Sequence, residues 1–91
     1  MRFTPHLTVA CIVEDNGRFL IVEEHRDGRL VLNQPAGHLE SGETLLQAAV
    51  RETREETAWS VELVSITGLF VHRSQWYKLP TYLLLCQATK V

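Results

Sequence analysis

Long apolar stretches are missing from this chain. The two longest, Val9 to Val13 and Tyr82 to Cys86, are five residues each, too short for a membrane-spanning helix or the core of a signal peptide. Clustered basic residues are missing as well. Nine Lys and Arg are spread along the chain and the net charge is −2, so no basic stripe is available to neutralise a phosphate backbone. Neither a membrane nor a nucleic-acid polymer is expected as a partner. Cysteine is scarce: Cys11 and Cys86 each lie inside an apolar run, and two buried thiols without a signal sequence read as reduced, structural and cytoplasmic. Internal repeats, low-complexity tracts and Pro/Gly/Ser-rich linkers are all absent. The four histidines, His6, His25, His38 and His72, are scattered and no HExxH occurs, which excludes a zinc site of that kind.

What is present is an ordinary globular composition. Hydrophobic residues make up 45% of the 91 positions and charged ones 22%, which argues against disorder. A chain this short buries roughly 64% of its unfolded surface, enough for one modest core. We therefore expect residues 1–91 to form a single domain.

Apolar, β-branched residues fill Leu7 to Val13, and Asp15-Asn16-Gly17 then turns the chain. Asn-Gly takes the positive φ angles of a tight hairpin easily. Arg18 to Glu24 reads as a second strand, Arg26-Asp27-Gly28 as another turn, and Leu30 to Leu32 as a short third strand. Asn33 to Glu43, with one Pro and two Gly in eleven residues, reads as loop. Thr44-Leu45-Leu46-Gln47 fits a capping box, so a helix is predicted over Leu45 to Thr57. Val61 to Thr67, Leu69 to His72 and Tyr82 to Ala88 read as three more strands. The fold class is mixed α/β or α+β.

On a helical wheel, stepping about 100° per residue from Leu45, the residues Leu45, Leu46, Ala49, Val50, Thr53 and Thr57 form the core-facing arc. Gln47, Arg51 and Arg54 lie opposite and are expected to face water. Glu52, Glu55 and Glu56 crowd one border of the buried face. That placement is costly, since Glu52 and Glu56 are a like-charge i, i+4 pair and all three sit where the helix dipole prefers cations. A divalent cation would offset both penalties. The oxygen-only ligand set favours Mg²⁺, with Mn²⁺ second. Glutamates on a solvated face, balanced by Arg51 and Arg54, are the commoner arrangement for a glutamate-rich helix taken alone.

The surrounding spacing decides between them. Gly37 to Trp59 reads GHLESGETLLQAAVRETREETAW: Gly37, five residues, Glu43, seven residues, then Arg51-Glu52-x-x-Glu55-Glu56. This closely resembles the signature box of the Nudix hydrolases. Thr53 stands where a bulky apolar residue is usual. Ala58 stands where the box has glycine, which makes a left-handed helix cap harder to adopt. Upstream, PHLTVACIVEDNGRFLIVEE and LNQPAGHLESGETL resemble the bacterial subgroup acting on a thiamine-pyrimidine pyrophosphate and on nucleoside di- and triphosphates.

The resemblance implies a mixed β-sheet packed by the helix of a loop–helix–loop motif. It implies Glu52, Glu55 and Glu56 as metal-binding and catalytic carboxylates, and Arg51 as the residue that orients them. Gly37 would lend a backbone carbonyl to the metal, and Glu43 would brace the loop against the helix. The activity implied is Mg²⁺-dependent cleavage of a phosphoanhydride bond in a phosphorylated small molecule. Family members are longer, so the C-terminal half is expected to be truncated or deleted. In several branches that half supplies a further acidic residue, and after Glu56 only Glu62 is available here. An uncovered apolar face and open strand edges should follow, and with them a homodimer or higher oligomer. His38, Trp76, Tyr77 and Arg29 are the candidates for touching substrate, with Arg26 and Arg73 as further phosphate contacts. Core packing is the commoner fate of Trp59, Phe70 and Tyr82. Two rivals remain: a non-catalytic nucleotide- or metabolite-binding module on the same scaffold, and a structural partner domain with an acidic interaction face.

Overall fold

The computed structural model describes residues 6–72 and 81–91. Its elements are β1 (His6–Asp15), β2 (Arg18–Phe19), β3 (Val22–Arg26), β4 (Arg29–Asn33), β5 (Ala36–His38), α1 (Leu45–Thr57), β6 (Val61–His72) and β7 (Thr81–Lys90). A mixed sheet runs in the order β2-β1-β7-β6, with β5 also paired to β1. Strands β1 and β7 are parallel, opposing Val9 to Leu84 and Cys11 to Cys86, whereas β6 joins β7 antiparallel. Strands β3 and β4 form a separate antiparallel ribbon. The mixed α+β class is as expected.

Local chemistry sets the turns. Asn16 and Gly17 have φ of 53° and 77°, and Asp27 and Gly28 have 51° and 75°. These are the paired positive angles that match a two-residue hairpin to the strand twist. Between the turns, the expected strand over Arg18–Glu24 breaks. After Phe19 only Leu20 still bonds to β1, its N–H donating to Val13 O at 2.9 Å. The next positions on that edge are taken: Cys11 N–H donates to Pro35 O at 3.0 Å, and Ala36 opposes Ala10. The chain is displaced by β5, a strand inside the segment read as loop. Conversely, the two strands expected around Gly68 are one, with register shifts at Leu63/Ser65 and Ile66/Gly68. A glycine there marks a bulge instead of a break.

The core lies between one sheet face and α1. Alternate residues Val9, Cys11 and Val13 of β1 and Leu84, Cys86 and Ala88 of β7 are buried, together with Val61, Ala48 and Ala49. Burying each valine or leucine contributes roughly 1.5–3 kcal/mol. Ala48 and Ala49 are 0% and 1% exposed, so the helix backbone sits close on the sheet. The expected core arc is corrected in two places. Leu46 is 46% exposed, and Ala48 takes the buried position instead. The thiols of Cys11 and Cys86 are unpaired, and burial pushes both up from the usual thiol range, which keeps them protonated and inert.

The helix ends are well made. Gln47 N–H donates to Thr44 Oγ1 at 3.1 Å, and Thr44 N–H donates to Gln47 Oε1 at 2.9 Å, completing the capping box. At the other end Ala58 adopts the left-handed conformation with φ 63°, its N–H donating to Arg54 O at 2.8 Å. The cap forms despite the missing glycine. Thr53 is fully buried, and its hydroxyl donates to Ala49 O at 2.8 Å, which satisfies a polar group brought into the core.

Strand β6 is partly bare on both faces, with Ile66 and Leu69 opposite the core residues Cys86 and Leu84 and Phe70 opposite Leu83 on the other side. Val64, Ile66, Leu69, Phe70 and Val71 of β6 are 53–63% exposed, and β6 forms the end of its sheet.

Candidate active site

The loop from Pro35 to Thr44 and the C-terminal half of α1 converge on one guanidinium. Arg51 Nε and Nη2 donate to the two oxygens of Glu43 at 2.6 and 2.9 Å. Nη1 donates to Glu52 Oε1 at 2.8 Å and to Glu55 Oε2 at 3.2 Å, and lies 3.4 Å from Glu40 Oε1. Nη2 also donates to His38 O at 2.8 Å. The expectation that Arg51 faces water is therefore corrected: its side chain is only 20% exposed. A wheel angle locates Cβ, but a long side chain can reach back across the border of its face. The fork matches a carboxylate bidentately, and Glu43 holds the Arg51 guanidinium firmly in its charged form, with Glu52 second. In return Arg51, together with the Glu40 N–H, holds the Glu43 carboxyl below its ordinary range.

One guanidinium thus faces four carboxylates, and Glu56 adds another. Glu56 Oε1 accepts from Ala36 N–H at 3.0 Å, which ties the helix to β5. Among the described residues no Lys, Arg or His pairs with it. Burial, and then the charges of Glu52, Glu24 and Glu55, push the Glu56 carboxyl up, against the bond from Ala36.

Gly37 touches the same niche. A Cβ there would overlap the Glu52 carboxylate, so the absent side chain is what gives Glu52 its place. Among the described residues no three His, Cys, Asp or Glu side chains are gathered closely enough to enclose a metal ion. Glu52 and Glu55 are turned toward Arg51 instead. The donors nonetheless suit a hard cation in kind, being all oxygen and collectively under-neutralised. Glu52 and Glu55, by rotating away from Arg51, could close on one together with Glu56.

A cleft of about 540 Å³ opens beside Ala36 and Gly37, lined also by His6, Thr8, Glu24, Arg26, Asn33 and His38. His38 thus stands at the cleft, its ring Nδ1 3.4 Å from Leu7 O. Arg29 is not among the lining residues. It opposes Arg26 across the β3–β4 turn. Trp76, Tyr77 and Arg73 lie outside the described residues. Trp59 packs against the core with Lys90 Nζ 4.6 Å over its ring. Glu62 is an exposed residue of β6. Sequence reasoning passed over Glu24 and Glu40. The signal for Glu24 was present: Glu24 and Arg26, two apart on a strand, share one face.

Comparison with known proteins matches this geometry to a family. A sequence model of the NUDIX domain covers residues 4–89. Phosphatase NudJ of Escherichia coli strain K12 is 50% identical over 74 residues, which are 81% of this chain and 46% of NudJ. The chain therefore spans about half the length of that relative. A NUDIX hydrolase from Nitrosomonas europaea superposes with a TM-score of 0.87 at 36% identity, over 97% of this chain and 60% of that one. An Ap4A hydrolase of Caenorhabditis elegans shares the fold at 19% identity and TM-score 0.72, over 94% of this chain and 68% of its own. With a domain model matching residues 4–89 and a relative 50% identical over 74 residues, the chain belongs to the Nudix hydrolase family.

Proposed function

We propose that this chain hydrolyses a phosphoanhydride bond in a nucleoside di- or triphosphate or a related pyrophosphorylated small molecule, with Mg²⁺, or Mn²⁺ in its place, as cofactor. The observation that carries this reading is Glu56. It is a carboxylate crowded by Glu24, Glu52 and Glu55, beside an arginine already shared among four other acids. Glu52, Glu55 and Glu56 would hold the metal, with the Gly37 carbonyl completing its sphere. When bound, the metal withdraws charge from phosphorus and makes a bound water more acidic. Arg51 keeps Glu52 and Glu55 oriented, and Glu43 keeps Arg51 in place. Glu56, whose Oε1 accepts from Ala36 N–H, would serve either as a metal ligand or as the group that takes the proton of the attacking water. His38 and the cleft beside it would receive the rest of the substrate. The 50% identical relative, the phosphatase NudJ, supports cleavage at phosphorus.

The exposed apolar residues of β6 and its place at the end of the sheet support assembly into a homodimer or higher oligomer. No described helix is long and apolar enough to cross a membrane. The non-catalytic binding module keeps one observation in its favour: among the described residues no trio of ligands is gathered in advance.

Incubation with Mg²⁺ and a panel of nucleoside di- and triphosphates and pyrophosphorylated small molecules, read by phosphate and pyrophosphate release, tests the proposal. Turnover is expected, and Glu56→Gln should lower kcat at least ~100-fold. Binding without release across the panel would favour the module instead.

A further inference from the structure

Two apolar surfaces lie at opposite ends of the sheet order β2-β1-β7-β6. The first is β6. Its run from Leu63 to Val71 carries neither charge nor proline, the residues that usually blunt an outer strand. Ile66 and Leu69 face one side and Phe70 the other, and all three are 53–60% exposed. Among the described residues nothing pairs with the outer edge of β6. The strand is therefore a ridge, bare on both faces and along that edge.

The second surface is a groove that begins at β2. Phe19, Ile21 and Leu32, together with Ile12, line a hollow of about 370 Å³. Leu30 extends it along β4, two residues from Leu32 and so on the same face of the ribbon. Phe19, Ile21, Leu30 and Leu32 are 50–60% exposed. Glu24 and Arg26, which line the active-site cleft, alternate with Glu23 and His25, the partners of Leu32 and Leu30. The cleft and the groove thus use opposite faces of the ribbon.

A side chain of this size left half bare offers on the order of 100 Å², so the five residues of the ridge and the four of the groove present roughly 900 Å² between them. At about 65% apolar, an interface built from both would total roughly 1,400 Å², within the range of specific contacts. Two ridges can meet along one edge or one face only, and both grooves then stay in water. Ridge into groove covers both surfaces, and an uncharged strand takes no ion into the contact. Because one copy carries the two at opposite ends, such a contact is heterologous.

We propose that β6 of one copy seats in the groove lined by Phe19, Ile21 and Leu32 of a second copy, head to tail, so that assembly runs on from copy to copy or closes as a ring and leaves the cleft open. This rests on the assembly proposed above and specifies how it is built.

Sedimentation velocity over the micromolar range tests it with wild type, Leu69→Lys in the ridge and Leu32→Lys in the groove, each alone and mixed in equal amounts. Both residues are 60% exposed. Thermal melts check that each variant folds, and Phe70→Lys or Leu30→Lys replaces one that does not. Wild type should pass beyond twice the chain mass as concentration rises. Each variant alone should associate at least about tenfold more weakly, since the contact would bury an unpaired ammonium. The mixture should form a one-to-one dimer, because each variant keeps the surface that the other lacks. Association of Leu32→Lys alone as strong as wild type means that ridge meets ridge, which overturns the heterologous contact and leaves the assembly standing. A mixture that stays monomeric overturns the contact too. A monomeric wild type overturns contact and assembly together, and the hydrolase reading is left to its own test.

Discussion

Gly37 and Glu52 act as one unit, because the missing side chain of the first makes room for the carboxylate of the second. Gly37→Ala therefore displaces Glu52 at its flexible end, leaving the fold largely as it is. Its melting temperature should stay within a few degrees of wild type, while Mg²⁺ affinity falls about tenfold or more, as for other groups that support a ligand. An unchanged affinity in a titration would show that Glu52 needs no such room. At Glu56, glutamine keeps an oxygen for the Ala36 N–H and removes the charge. Glu56→Gln should accordingly lose turnover without a lower melting temperature, which thermal denaturation checks. The three glutamates were legible as an acidic border on the predicted helix, because spacing on a helix fixes which Cβ atoms are neighbours. That Arg51 turns inward was not, because a side chain of that length chooses among partners brought by the loop.

The helix is the element whose limits could be read from sequence, since its signals are local: the Thr44 and Gln47 side chains close the start, and the run to Thr57 holds no breaker. The end at Ala58 is the strained point. A non-glycine residue in the left-handed region costs roughly 1–2 kcal/mol, part of which glycine returns as unfolded-chain entropy. Ala58→Gly should stabilise the protein by about 0.5–1 kcal/mol, a rise of a few degrees in melting temperature. The loop that faces the helix is tied on by Glu43, and this tie has a pH dependence of known sign. The Glu43 carboxyl is held below its ordinary value near 4.5, so its contribution is complete above that pH and is lost as pH falls through the lowered value. Thermal melts of wild type and Glu43→Gln should therefore differ most at neutral pH and converge in acid. A gap that persisted or widened below that range would contradict the ion pair. Strand β5 and the break after Phe19 were not legible for the converse reason. Both come from competition for one edge of β1 between segments about fifteen residues apart, Leu20 and Pro35, which no local pattern records.

For the molecule as a whole, α1 closes the sheet over the core residues of β1 and β7, while β6 keeps five large apolar residues in water. That imbalance was foreseeable from a short chain, although which strand would be left bare depended on the order β2-β1-β7-β6. Light scattering at micromolar concentration should report at least twice the chain mass, and a monomer would rule out the proposed assembly. The same order sets the active-site niche, since β1 carries β5 on one edge and packs its core face under the helix, so that Gly37 meets Glu52 and Ala36 meets Glu56. The account depends on those carboxylates binding a hard cation. Isothermal titration of Mg²⁺ into wild type and into Glu56→Gln is its most direct test: saturable binding that is weakened at least about tenfold in the variant is the predicted result, and no binding by the wild type, or equal binding by both, would contradict it.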